Sequence, residues 1–152
     1  MPPKRLLLPV LVMIALASVP AGQAFADSAL GPRMGLSGGD DDFFLGVQTE
    51  FGPILEAATL VNSLDFTLGD HSSTALNTEL RFYLVPLPET GIMFYCAGGP
   101  TLLLSPDTEL GLSLVLGLHI PMKDTRRYNI EYRWGVVDIP DHKIGLTVMF
   151  GL

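Results

Sequence analysis

The stretch LGLSLVLGLHI, residues 110–120, alternates without a break. Leu110, Leu112, Leu114, Leu116, Leu118 and Ile120 share one phase, and Gly111, Ser113, Val115, Gly117 and His119 share the other. Period two is the signature of a β-strand with one face in apolar surroundings. Strands of globular domains average about 5–6 residues. A strand tilted across a bilayer needs about 9–11. The question is whether the six large side chains meet a core or a membrane.

The pattern recurs along the chain. Short alternating runs occupy 32–38, 43–51, 57–68, 75–85, 92–104, 110–120, 128–139 and 143–152, separated by turn-forming stretches such as GGDDD, GDHSS, SPDTE and PLPETG. Eight such runs with turn signals between them point to an all-β fold. In the fourth run Leu76, Thr78, Leu80, Phe82 and Leu84 oppose Asn77, Glu79, Arg81 and Tyr83. In the seventh, Tyr128, Ile130, Tyr132, Trp134 and Val136 oppose Asn129, Glu131, Arg133 and Gly135. In the second, Phe43, Leu45, Val47 and Phe51 oppose Gly46, Gln48 and Glu50; in the third, Leu64, Phe66 and Leu68 oppose Ser63, Asp65 and Thr67.

The polar phase decides between a soluble and a membrane barrel. It holds Gly, Ser, Thr and Asn with single charges of both signs: Arg33, Glu50, Asp65, Glu79, Arg81, Glu131 and Arg133. Lysine, common on solvated strands, is missing from the first seven runs. Small residues and mixed charges suit a narrow interior in which carboxylates and guanidiniums pair. Only 16% of the 152 residues are charged and 48% are hydrophobic, against about 25% charged in soluble domains. The apolar phase then faces lipid. Lipid satisfies no backbone group, so the sheet has to close. The expected fold is a closed antiparallel up-and-down eight-stranded transmembrane β-barrel, whose interior side chains just fill. Its glycines, Gly46, Gly111, Gly117, Gly135 and Gly145, are expected to make room for the long charged side chains.

The N-terminus reads as an export signal. MPPKR is basic, 6–18 is apolar, and Ala24-Phe25-Ala26 offers a small-x-small cleavage site. The expected division is a signal peptide over 1–26 and a barrel domain over 27–152. Without Lys4 and Arg5, seven basic residues stand against sixteen acidic ones, a charge of −9, which argues against nucleic acid. Cys96 is the sole cysteine, so no internal disulfide can form; it reads as a small buried or lipid-facing residue.

With the N-terminus in the periplasm, the outer loops carry Asp40, Asp41, Asp42, Asp70, Asp107, Glu109, Asp138 and Asp141. They read as solvated turn residues, with divalent-cation bridging to lipopolysaccharide as the alternative. The inner turn PMKDTRR carries Lys123, Arg126 and Arg127. His71, Ser72 and Ser73 sit in an outer loop beside Asp70. A base next to a hydroxyl is what acyl transfer uses, but such adjacency is also ordinary loop chemistry, and no catalytic role is assigned. His119 reads as a packed polar residue. No cofactor or metal is expected.

The layout resembles the OmpA-like, opacity-like eight-stranded barrels of Gram-negative envelopes. The resemblance covers residues 27–152 as pattern. Its sharpest local match is the last run, where Lys143, Gly145, Val148 and Phe150 resemble the β-signal that the barrel-assembly machinery reads on final strands. The resemblance implies an integral outer-membrane protein with a non-enzymatic structural or surface-interaction role. Its partners would be outer-membrane lipid, lipopolysaccharide and the assembly machinery, and the protein is expected to be a monomer without the peptidoglycan-binding domain of two-domain members. Two alternatives remain at this point: a lipid A-modifying acyl hydrolase or transferase, whose His-x-Ser-Asn pattern is not found here, and a soluble periplasmic lipocalin-like binding barrel.

Overall fold

The structure, a computed structural model, describes residues 27–38, 42–69, 72–104, 108–137 and 142–152. It has eight strands: β1 (Ala29–Gly38), β2 (Asp42–Leu55), β3 (Ala58–Leu68), β4 (Ser73–Pro86), β5 (Met93–Leu104), β6 (Thr108–Pro121), β7 (Arg126–Val137) and β8 (His142–Gly151). Each pairs antiparallel with its chain neighbours, and β1 pairs with β8 to close the barrel. The segments 1–26, 39–41, 70–71, 105–107 and 138–141 lie outside the described residues. With them lie the proposed signal peptide, His71 and most of the acidic loop residues.

The register sets the tilt. From Gly35 one path of paired residues runs through Gly145, Glu131, Gly117 and Tyr95 to Tyr83 on β4. The other runs through Phe44 and Thr67 to Ser73 on the same strand. The two ends, Ser73 and Tyr83, are ten residues apart. This stagger tilts the strands about 35–45° to the axis, as closure of a small barrel requires.

The barrel is inverted relative to a soluble protein. Among the described residues, ten apolar side chains are buried against twenty polar or charged ones. Glu50, Asp65 and Arg81 have no exposed surface at all. Leu112, Leu114 and Leu116 of the alternating stretch 110–120 are 50%, 43% and 51% exposed. Two aromatic belts bound the outward apolar band. Phe51, Phe82, Phe94, Tyr128 and Phe150 lie toward the end of the short turns, and Phe43, Phe66 and Trp134 toward the other end. Such girdles mark the two interfaces of a membrane barrel. No helix among the described residues is long and apolar enough to cross a membrane; the strands do the crossing.

Several strands outrun their sequence-read limits. β1 begins at Ala29, β2 continues through a bulge between Phe51 and Leu55, and β7 begins at Arg126. Turn-forming residues mark where pairing becomes costly, but the stagger of a tilted barrel carries pairing past them.

Leu116→Arg is expected to cost about 2–4 kcal/mol of folding stability in lipid vesicles, the penalty for Arg near the bilayer midplane. Urea titration of the reconstituted protein measures it. A change within about 0.5 kcal/mol, normal for an exposed site in water, would mean that this face does not meet lipid.

Candidate functional site

The barrel interior is where the polar phases of all eight strands converge, and an ion-pair network fills it. Glu131 on β7 is one hub. Its carboxylate lies 3.3 Å from Arg33 Nη2, 2.7 Å from Arg81 Nη2 and 3.8 Å from Arg133 Nη2. The Tyr95 hydroxyl donates to it at 2.8 Å. Glu50 on β2 is the second hub, paired with Arg81 and Arg127. It also accepts from Gln48 Nε2 at 3.1 Å and Asn129 Nδ2 at 2.8 Å. Glu79 on β4 is the third, held by Arg133 and by the Ser113 hydroxyl at 3.2 Å. Asp65 faces Arg33 Nε at 3.2 Å and accepts from Asn77 Nδ2 at 3.4 Å.

Arg33, Arg81 and Arg133 each join two carboxylates, so the three hubs form one connected body. Each planar guanidinium presents five donors and can serve two acceptors at once. Two aromatic rings extend the network: Arg81 lies 4.1 Å over the Tyr95 ring and Arg33 5.4 Å over Phe44. Both are cation–π contacts.

All seven interior residues read from the sequence meet here. Arg127, which the sequence analysis left in a turn on the rim, is a correction. It lies in β7, pairs with Pro121 and Met149, and reaches inward to Glu50. Its phase with Asn129, Glu131 and Arg133 was the available signal. Gln48, Asn77, Asn129 and Tyr95 also belong to the network. Tyr95 could have been found by its phase with Ala97 and Thr101, both buried.

The role expected for the glycines needs correction at Gly117 and widening at Gly145. A Cβ on Gly117 would lie 2.2 Å from Tyr95 Cζ, and one on Gly145 would lie 3.1 Å from Phe44 Cζ. Gly117 gives room to an aromatic ring rather than to a charged chain, and Gly145 to both, since its Cβ would also lie 3.4 Å from Arg33 Nη2. A ring needs a flat seat, and only a residue without a side chain on the facing strand provides one.

The four residues of the β-signal-like segment divide between the faces. Lys143 and Gly145 are buried inside, while Val148 and Phe150 point outward. Lys143 Nζ stands 5.6 Å from the Phe44 ring centre. His119 is inside and buried, its Nδ1 3.2 Å from Asn129 Oδ1 and its ring edge-on to Tyr83. Cys96 is a free thiol in the outward phase of β5.

The interior is ionic and largely paired, with the Nε groups of Arg81, Arg127 and Arg133 and the Thr67 hydroxyl left without a hydrogen-bond partner. The cavity bordered by Asn77, Thr101, Ser113, Arg133 and Lys143 measures about 10 Å³, the space of a single water. A lipocalin-like barrel would need a roomy apolar interior, whereas the described interior is lined by paired charges. Among the described residues, no group of three His, Cys, Asp or Glu side chains is placed to hold a metal.

No protein-family model and no curated protein matches the sequence. Solved structures do match the fold. The N-terminal β-barrel domain of Pseudomonas aeruginosa OprF aligns at TM-score 0.63 and 12% identity, covering 82% of this chain and 97% of that one. Neisserial surface protein A aligns at TM-score 0.65 and 7% identity, covering 83% and 97%. A de novo designed transmembrane β-barrel aligns at TM-score 0.66 and 11% identity, covering 86% and 98%. The fold is that of an eight-stranded transmembrane β-barrel. At these identities the likeness speaks for the fold and not for a shared activity.

Glu79→Gln is expected to cost about 3–5 kcal/mol in urea unfolding, because it leaves the buried Arg133 without its main partner. The double substitution Glu79→Leu with Arg133→Met should recover most of that loss. A double variant as unstable as the single one would show that the pair itself carries stability.

Proposed function

We propose that the protein is an integral outer-membrane β-barrel of a Gram-negative envelope, with a non-enzymatic structural or surface-interaction role. The observation that carries this reading is the inversion. An apolar outer wall bounded by two aromatic belts surrounds an interior occupied by paired charges. Such a wall is stable only in lipid, and such an interior leaves no room for a substrate. The similar fold of the OprF barrel domain and of a protein named for the neisserial surface supports the same location.

On this reading residues 1–26 direct export and are removed, leaving Asp27 as the first residue. The acidic loops then stand in the outer leaflet among lipopolysaccharide headgroups. The last strand serves as the address for the assembly machinery, with Phe150 and Val148 presented outward on β8 and Gly145 inward. An outward aromatic next to a free strand edge, before closure onto β1, is a surface that an insertion machine can grip by strand pairing.

Fractionation tests the location. The mature chain should be recovered in outer membranes, begin at Asp27 and migrate faster on gels before boiling than after. Recovery in the soluble periplasm would sink the proposal. Phe150→Ala should lower the amount assembled in cells while leaving refolding into synthetic vesicles nearly unchanged, because only the cellular route reads the signal. Equal loss in both settings would make Phe150 a packing residue and no address.

A further inference from the structure

The outward wall is not evenly filled. A groove of about 370 Å³ crosses it from β4 to β8, bordered by Leu84, Phe94, Leu118, Ile130 and Ile144, with Gly117 in its floor. The register explains its course. Tyr95, Gly117 and Glu131 are partners on β5, β6 and β7, and the Tyr95 and Glu131 side chains are buried inside, so this row shows only backbone to the outside. Outward side chains stand as walls on both sides of it. Ile144, Tyr132 and Leu116 are partners in one row, and Ile130, Leu118 and Phe94 in the other. The lining is almost wholly apolar, so the groove offers a partner its shape and almost no hydrogen bonding.

On β7 the same outward face leads from the groove to a charge. Toward the short turns, Tyr132 and Ile130 are followed by Tyr128, in the aromatic belt, and then by Arg126 at the end of the strand. Four residues of strand separate Arg126 from Ile130, about 13 Å. A cation thus stands at headgroup depth over a slot at hydrocarbon depth. The Arg126 side chain is 58% exposed, and its ion pair with Asp124 is long, at 3.6 Å, and open to water; such a pair is worth little. Lys123, in the same turn, is exposed as well. The opposite rim carries Asp42 and Glu109, which repel phosphate.

We propose that the groove and this face of β7 bind one anionic glycerophospholipid of the periplasmic leaflet, a conclusion that rests on the outer-membrane reading above. The phosphate lies against Arg126 and Lys123, and one acyl chain runs past Tyr128 into the groove. A guanidinium meets phosphate oxygens through two parallel hydrogen bonds, and the ammonium adds a point charge on a flexible stem. Tyr128 stands where the chain leaves the headgroup, its apolar ring toward the chain and its hydroxyl toward water. A chain seated between two rows of side chains gives up no hydrogen bond and restores the van der Waals contacts that an empty slot forfeits. Lipopolysaccharide would have to enter from the acidic rim, so charge selects phospholipid.

Native mass spectrometry of the refolded protein, released from octyl glucoside micelles after mixing with dimyristoylphosphatidylglycerol, tests the proposal, with heat-modifiable migration monitored on each sample. The wild type should retain one phosphatidylglycerol. Lys123→Gln combined with Arg126→Gln should lower retention about twentyfold, the loss of two cations at roughly fivefold each. Ile130→Trp, which fills the groove, should abolish retention, and Leu45→Trp, at an exposed position of β2, should leave it unchanged. A wild type without bound lipid, or either the charge or the groove variant retaining lipid as the wild type does, overturns the proposal. Equal retention of dimyristoylglycerol, which lacks the phosphate, overturns it too, as does a preference for lipid A over phosphatidylglycerol. A wild type without heat-modifiable migration would instead strike at the membrane-barrel reading itself.

Discussion

Glu131 sits where three guanidiniums and a phenol converge, and the barrel is organised around the need to make that arrangement complete. Closing eight strands leaves an interior just wide enough for side chains and too narrow for bulk water. Once the outer wall is given to lipid, the polar phase of every strand has nowhere to go but this interior. Each charge brought there loses its hydration, and a lone buried ion would cost several kcal/mol. The remedy is to bring opposite charges together at hydrogen-bond distance, which Arg33, Arg81 and Arg133 do by each serving two carboxylates.

The same arrangement explains the lesser residues. Tyr95 donates to Glu131 and lies under the Arg81 guanidinium, so it both completes a hub and fills space. Its ring needs the bare backbone of Gly117 beside it. Thr101, Ser113, Asn77 and Ser63 form a neutral chain of hydrogen bonds that links Glu79 to Asp65. At the turn end, Arg127 closes the interior over Glu50, with its side chain 23% exposed.

Much of this was legible in one dimension. A strand's side chains alternate strictly, so Leu110 to Ile120 could be sorted into outward and inward sets without a structure. The seven charges of the inward set follow the same parity, and all seven are buried. Arg127 was missed because it lies in a turn-like stretch, PMKDTRR, where residue chemistry outweighed phase. Phe44 and Tyr95 were missed because a large ring in the polar phase contradicts the pattern; it is allowed only where glycines on the adjacent strands lie under it.

The sequence by itself determined which residues face in and which face out, since that depends only on parity along each strand. It also determined that the sheet must close, since the outward phase is predominantly apolar. Only the tertiary structure decided the partnerships. Arg81 and Glu131 are 50 residues apart, and Arg127 and Glu50 are 77 apart. Whether they meet depends on the stagger accumulated strand by strand around the barrel. A shift of the register by two residues in a single pair of strands would keep every side chain on its proper face and separate these charges. Parity survives such a shift and ion pairing does not, so the pattern can be read along the chain while the network exists only in the closed sheet.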